Sequence, residues 1–219
     1  MKSKKILKII GIILLILIVL LLIHTIRNFI IIKDLQNKIA QYVNSENHYI
    51  KNITSENNEI VVKVDYYQKD NKQVVFLERD NNGEKTKISM YNNGERIDTF
   101  TETSDTKKVK LNSLSTISVQ IVNVLQTDND WQTFLYSIIA KVRKVELNGK
   151  ECYRIDNFFS PNYLFGVEKN ETYLDKDTGL LVKQVMDETT TQKEYDFNNV
   201  DDSIFVEPDI SQYSLQEDN

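Results

Sequence analysis

The 219-residue chain is 41% hydrophobic and 27% charged, enough for one sizeable folded domain beside a membrane segment, whereas two domains would be cramped. Its formal charge of −5 is unevenly spread: six of the 27 basic residues lie in the first 33 positions, where no acid occurs, so all 32 acids fall on a remainder of charge −11. That acidity, without a basic stripe or an aromatic-interleaved Lys/Arg run, excludes nucleic acid as a partner.

From Ile6 to Ile26 the sequence is nearly unbroken Ile, Leu and Val, interrupted by Lys8 at one end and by His24 and Thr25 at the other. At 1.5 Å per residue this length spans about 31 Å, the thickness of a bilayer's hydrocarbon core. No small-x-small cleavage site follows Ile23 and no lipobox cysteine is present, so the segment reads as an uncleaved transmembrane helix with Lys8 snorkelling to the interface. Lys2, Lys4, Lys5 and Lys8 precede it, against Arg27, Lys33 and Lys38 after it, which favours a cytoplasmic N-terminus. The expected organisation is a cytoplasmic tip over 1–5, a single-pass helix over 6–26 in the cell membrane, and an extracellular domain over 27–219. His24 reads as an interfacial polar residue.

Beyond the span, Phe29, Ile32, Leu35, Ile39 and Tyr42 or Val43 recur at helical spacing, with Lys33, Asp34, Gln36, Asn37 and Lys38 on the other face, so an amphipathic helix continues from the membrane. From His48 to about Leu111 the period changes to two, as in Ile60-Val62-Val64-Tyr66, and the segment reads as strands. Asn82-Gly83, Asn93-Gly94 and Asn148-Gly149 are Asn-Gly pairs of the kind that close tight hairpins, and Asp177-Thr178-Gly179 suits a further turn. An antiparallel meander follows from them.

Two helices are predicted within the strands. Leu114, Ile117, Ile121 and Leu125 share a helical face over 113–126. Trp131, Phe134, Leu135, Ile138, Ile139 and Val142 form a stripe over 129–142, with Asp128 or Asp130 as the N-cap. Strands resume through Val145–Leu147, Cys152–Ile155, Thr172–Leu174, Leu180–Val185 and Lys193–Phe197.

No catalytic constellation stands out. His48 is the sole histidine outside the membrane segment and reads as an exposed strand-edge residue; there is no Gly-x-Ser-x-Gly elbow and no glycine-rich phosphate loop. Carboxylates are too abundant for one pair to be singled out as acid and base. Asp175-Lys176-Asp177-Thr178-Gly179 lacks the third oxygen ligand and the terminal bidentate Glu of a calcium loop, and reads as a turn. The lone Cys152 reads as a small buried strand residue. No enzyme activity, metal or cofactor is expected. Two apolar features remain, the stripe from Trp131 to Val142 and the run Phe158-Phe159-Ser160-Pro161-Asn162-Tyr163-Leu164-Phe165. Either lines a site for a hydrophobic ligand or packs as ordinary core.

The order helix, hairpins, two helices, hairpins, taken with Trp131…Ala140, Val145-Glu146-Leu147-Asn148-Gly149-Lys150-Glu151-Cys152-Tyr153-Arg154-Ile155, Glu171-Thr172-Tyr173-Leu174-Asp175-Lys176-Asp177-Thr178-Gly179-Leu180, Glu194-Tyr195 and Glu207-Pro208-Asp209-Ile210, resembles the LolA/LolB/RseB-like superfamily. Within it, the membrane-anchored type of Gram-positive bacteria is the nearest likeness, over most of residues 29–213. The resemblance implies an α+β fold: a transmembrane helix followed by an antiparallel, incompletely closed β half-barrel whose concave apolar face is covered by helices and holds acyl chains or hydrophobic segments. The expected function is a membrane-anchored binding domain for an acyl chain, lipid or lipoprotein segment. Leu114, Ile117, Ile121, Trp131, Phe134, Leu135, Ile138, Phe158 and Phe159 are its candidate lining. The alternative is an ectodomain that docks another envelope or cell-wall protein and has no ligand cavity.

Overall fold

The computed structural model describes residues 2–57, 59–81, 83–112, 121, 124–127, 129–156, 170–197 and 200–216. The predicted helix over 113–126, apart from 121 and 124–126, and the run 158–165 lie outside the described residues, and with them Leu114, Ile117, Phe158 and Phe159. The elements are α1 (Lys2–Ile39), β1 (His48–Glu56), β2 (Glu59–Lys69), β3 (Lys72–Asn81), β4 (Glu84–Asn92), β5 (Ile97–Glu102), β6 (Lys107–Lys110), α2 (Asp130–Ile139), β7 (Lys141–Leu147), β8 (Lys150–Asp156), β9 (Asn170–Asp175), β10 (Leu181–Met186), β11 (Thr189–Asp196) and β12 (Ser214–Leu215). The fold class is α+β, and the strand pairings with described register are antiparallel except β12 with β6. The chain divides into two compact units, residues 1–40 with 123–181 and residues 41–122 with 182–219.

The first unit is built on α1. This 38-residue helix is long and apolar enough to cross a membrane, and residues 5–23 are exposed on every side. From residue 24 onward the same helix acquires a buried seam, Thr25, Asn28, Ile32, Leu35, Gln36 and Ile39, at three- and four-residue spacing. Gln36 thus belongs to the buried face and not to the solvated one. Ile32 and Leu35 pack with Leu125, Ala140, Val142, Ile155, Leu174 and Leu181. Each such aliphatic side chain contributes about 1.5–3 kcal/mol by leaving water. Cys152 is buried on β8 with a free thiol, which burial makes harder to ionise.

Two boundaries differ from the sequence reading. The N-cap of α2 is Asn129, whose side chain accepts a hydrogen bond from Gln132 N (2.9 Å), while Asp130 is the first helical residue and pairs with Lys33 at 2.7 Å. The helix ends at Ile139, because Ala140 is extended (φ −63°, ψ 137°). Val142 belongs to β7, where the alternation of buried Val142 with exposed Lys141 and Arg143 marks a strand.

Turn chemistry fixes the hairpins. Asn148 (φ 53°) and Gly149 (φ 78°) take the two left-handed positions that join β7 to β8. After β9, one carboxylate oxygen of Asp175 accepts hydrogen bonds from Asp177 N (2.9 Å), Thr178 N (2.9 Å) and Thr178 Oγ1 (3.0 Å), and Gly179 closes the turn at φ 75°. The turn lies directly on α1: a Cβ at position 179 would stand 2.5 Å from Leu35 O and 3.2 Å from Ile39 N. Lys38 Nζ donates to Lys176 O at 2.9 Å from the same helix.

The second unit is a sheet in the order β12-β6-β5-β4-β3-β2-β1-β11-β10, which does not close on itself. Three of its turns use left-handed Asn57, Asp70 and Asp187 in place of glycine. On one face Val74, Tyr91, Phe100 and Val109 form a core with Phe76, and Ile204, Phe205 and Tyr213 of the C-terminal segment pack against it. Aromatic rings run across this face from strand to strand, Tyr49 to Tyr67 (4.6 Å), Phe76 (6.0 Å), Tyr91 (6.0 Å), Phe100 (5.6 Å) and Tyr213 (5.0 Å). Such pairs each add about 0.5–1.5 kcal/mol beyond burial.

Gly179→Ala must both enter the left-handed region and displace the backbone of α1, so a loss of at least about 2 kcal/mol is expected. Gly83→Ala, with φ 92° but nothing within 4 Å of the new methyl, costs about 1 kcal/mol. Denaturant unfolding of the two variants in detergent micelles measures the difference; equal losses contradict the close approach.

Candidate functional site

The stripe predicted on α2 does not face the core. The buried positions of this helix are Thr133 and Ser137, followed by Ala140 at its C-cap, all small, and they lie against α1. Trp131 is 65% exposed, Leu135 is exposed, and Phe134 and Ile138 are half-buried. Ile121, in the other unit, is buried. The four α2 residues of the candidate lining thus share the side opposite Thr133 and Ser137, while Val142 of the predicted stripe packs in the core from β7. Phe134 is flanked by Trp131 (stacked, 5.7 Å) and by Phe29 of α1 (edge-on, 6.1 Å).

The α1–α2 seam is polar, and its purpose is to end α2. The last turn of a helix leaves carbonyl oxygens without intrahelical donors. Asn28, fully buried on α1, donates through Nδ2 to Ser137 O (3.1 Å) and Ala140 O (2.8 Å). His24 Nε2 lies 3.2 Å from Ala140 O and 3.0 Å from Asn28 Nδ2, in the same polar cluster. Arg27 Nη1 donates to Val142 O at 3.4 Å. At the other end of the seam Gln36 Nε2 donates to Leu125 O at 2.6 Å, and the Thr127 and Thr133 hydroxyls pair at 2.6 Å. His24 therefore belongs to the cluster at the end of α2, one helical turn from Asn28 on the same face of α1.

In the second unit, strand register defines the face opposite the aromatic one. One cross-strand row runs Tyr195, Ile50, Tyr66, Val75, Met90, Thr99 over β11, β1, β2, β3, β4 and β5; the next runs Lys193, Asn52, Val64, Leu77, Ile88, Thr101 over the same strands. Ile50, Tyr66 and Val75 are buried, and burial pushes the Tyr66 phenol up to about 12. The second row is half-buried throughout. Polar groups on this face lack protein partners: His48 Nε2, Asn52 Oδ1 and Thr99 Oγ1 are buried without a hydrogen bond among the described residues. No carboxylate pairs with the Lys193 ammonium among the described residues, and burial lowers its pKa.

His48 is 4% exposed, contrary to the strand-edge reading. Nδ1 donates to Ser45 O at 2.9 Å, which leaves Nε2 as the unprotonated nitrogen, and burial lowers the pKa of the ring against the smaller opposing pull of that hydrogen bond. Its ring neighbours are Tyr66 (5.4 Å) and Phe197 (6.4 Å).

No family model matches the chain, and no curated protein matches it. Among solved structures the chain is similar to MucB, in the crystal structure of MucB in complex with MucA(peri), at 11% identity and a TM-score of 0.32, over 78% of this chain and 57% of that one. It is also similar to a DUF1329 family protein from Desulfovibrio piger at 13% identity and a TM-score of 0.29, over 84% of this chain and 97% of that one. At these scores the likenesses carry no functional argument, which rests on the faces described above.

Asn28→Leu removes both amide donors and leaves two buried carbonyls unsatisfied, at a cost of about 2–3 kcal/mol and with fraying of α2. Asn37→Leu, at an exposed position of the same helix, serves as control and changes little. Thermal unfolding followed by circular dichroism in micelles measures both, and equal effects contradict the capping role.

Proposed function

We propose that this chain is a non-enzymatic binding domain anchored by α1 at the outer face of the cytoplasmic membrane. The half-buried sheet face of the second unit holds a hydrophobic molecule that bears an anionic group, of the acyl-chain, lipid or lipoprotein kind. The observation that carries the reading is the row Lys193, Asn52, Val64, Leu77, Ile88, in which an apolar strip ends at a desolvated ammonium with no counter-ion among the described residues. A half-buried cation without a counter-ion is costly, and an anionic headgroup offsets that cost while acyl methylenes cover Val64, Leu77 and Ile88.

The anchor reading is supported by the continuity of α1. The helix runs unbroken from the exposed apolar segment into the seam that caps α2 and into the core of the first unit. Cleavage after Ile26 would cut a helix whose next turns supply Asn28, Ile32 and Leu35. With lysines at the N-terminal end, the N-terminus lies in the cytoplasm.

Mass spectrometry of lipid co-purifying with the full chain from its native membrane in mild detergent tests the ligand. The wild type is expected to retain an anionic lipid or fatty acid, Leu77→Asp to lose it, and Lys193→Gln to lose selectivity for the anionic species while remaining folded. A folded wild type that retains no such lipid, or whose sheet face is instead occupied by a second protein, contradicts the reading. Topology has its own test: protease added to intact spheroplasts is expected to digest the chain beyond about Lys33 and leave a hydrophobic stub. A released soluble form that begins near Arg27 contradicts the anchor.

A further inference from the structure

The polarity of α2 is inverted relative to a water-facing helix. Its inner side is Thr133, Ser137 and, just past its end, Ala140, and its outer side is Trp131, Phe134, Leu135 and Ile138. Small residues at a helix contact with large apolar ones outward is the packing pattern of helices in lipid, where close approach and buried polar bonds hold the pair together. Polar residues of α1 that border the span, Thr25 and Asn28, are 2% and 0% exposed because α2 covers them. The apolar stripe of α1 continues past them on the uncovered side, with Ile23 60%, Ile26 52% and Ile30 61% exposed.

Heights along α1 locate α2 in relation to the bilayer. The helices run antiparallel, with Ala140 at His24 and Asp130 at Lys33. Those nine steps of α1 rise about 14 Å, matching about 15 Å for the ten residues of α2. The lower end of α2 therefore stands where the span leaves the hydrocarbon. Basic residues gather at that end: Arg27 of α1, which bonds Val142 O, and Arg143 on the strand that follows, both exposed. The upper end is closed by the Lys33–Asp130 ion pair.

We propose that α2 is a membrane-contacting helix. Its outer side faces the headgroup region of the leaflet from which α1 emerges, with Ile138 beside Ile26 nearest the hydrocarbon and Trp131 at the outer edge of the headgroups, and Arg27 and Arg143 at the lower end meet the lipid phosphates. The occupant is the bilayer and not a second protein, because the surface is the direct continuation of the lipid-facing stripe of α1 and carries cations at its lower end, where the span leaves the hydrocarbon. The inference rests on the anchor reading of α1. It presents the first unit to the membrane in a fixed orientation.

Trp131 is the only tryptophan in the chain, so its fluorescence reports on α2 alone. The full chain reconstituted into phosphatidylcholine–phosphatidylglycerol vesicles is floated on a density gradient, and Trp131 emission is recorded with spin labels at the lipid headgroup or at mid-chain. The expected result is co-flotation, blue-shifted emission, and a greater loss of emission with the headgroup label than with the mid-chain label. Arg143→Glu is expected to reduce that loss in anionic vesicles without reducing flotation. Co-flotation with water-like, unquenched emission overturns the lipid contact and leaves the anchor standing. Blue-shifted emission insensitive to both labels also overturns it, since another protein surface then covers α2. Failure to float overturns the anchor itself.

Discussion

The architecture of the first unit depends on a single covalent fact, that one uninterrupted helix supplies both the long apolar segment and the core of the folded unit. Asn28 stands at the junction. Its amide closes the last turn of α2, and the residues one and two turns further along α1, Ile32 and Leu35, bury themselves against β7, β8 and β9. Because the helix backbone is stiff over these few turns, the position of the first unit relative to the apolar segment follows from the helix geometry and not from a linker. A unit tethered this way cannot tumble freely over the membrane that, on the proposed reading, holds it.

Polarity is distributed in each unit according to what covers each surface. The aromatic face of the second unit is closed by the chain's own C-terminal segment, through Ile204, Phe205 and Tyr213. Its opposite face keeps Asn52, Thr99 and Lys193 without protein partners among the described residues, beside apolar side chains only half withdrawn from water. Folded domains seldom leave buried polar atoms unpaired without a use for them. The contrast between a covered face and an uncovered one is what supports the proposal that the second binds a ligand.

Much of the fold was legible from sequence because it rests on local rules. The amphipathic continuation of α1, the period-two strands and the Asn-Gly turns are short-range signals, and Asn148 and Gly149 occupy the left-handed positions that such a pair favours. The errors came from tertiary context. Gln36 looked solvated beside Lys33 and Asn37 but reaches Leu125 O, and His48 looked exposed at a strand end but is buried beside Tyr66. The stripe on α2 holds from Trp131 to Ile138 and ends before Val142, yet periodicity states only that one side is apolar. It cannot say whether that side meets protein, lipid or ligand, and here the small residues Thr133 and Ser137 took the inner position. Lys193 was invisible for a related reason, since a lysine in an alternating strand reads as outward until register through Asn52 places it on the same face as Val64 and Leu77.

The account turns on the half-buried sheet face, and it is tested most directly in living cells. A photoreactive amino acid placed at Leu77 of the full-length chain and activated by light captures whatever lies against that face. The account predicts an adduct whose added mass is that of a lipid or fatty acid, and its loss when Lys193 is replaced by Gln. Capture of a second protein, or a chain that acquires no adduct although it is folded and membrane-bound, contradicts it.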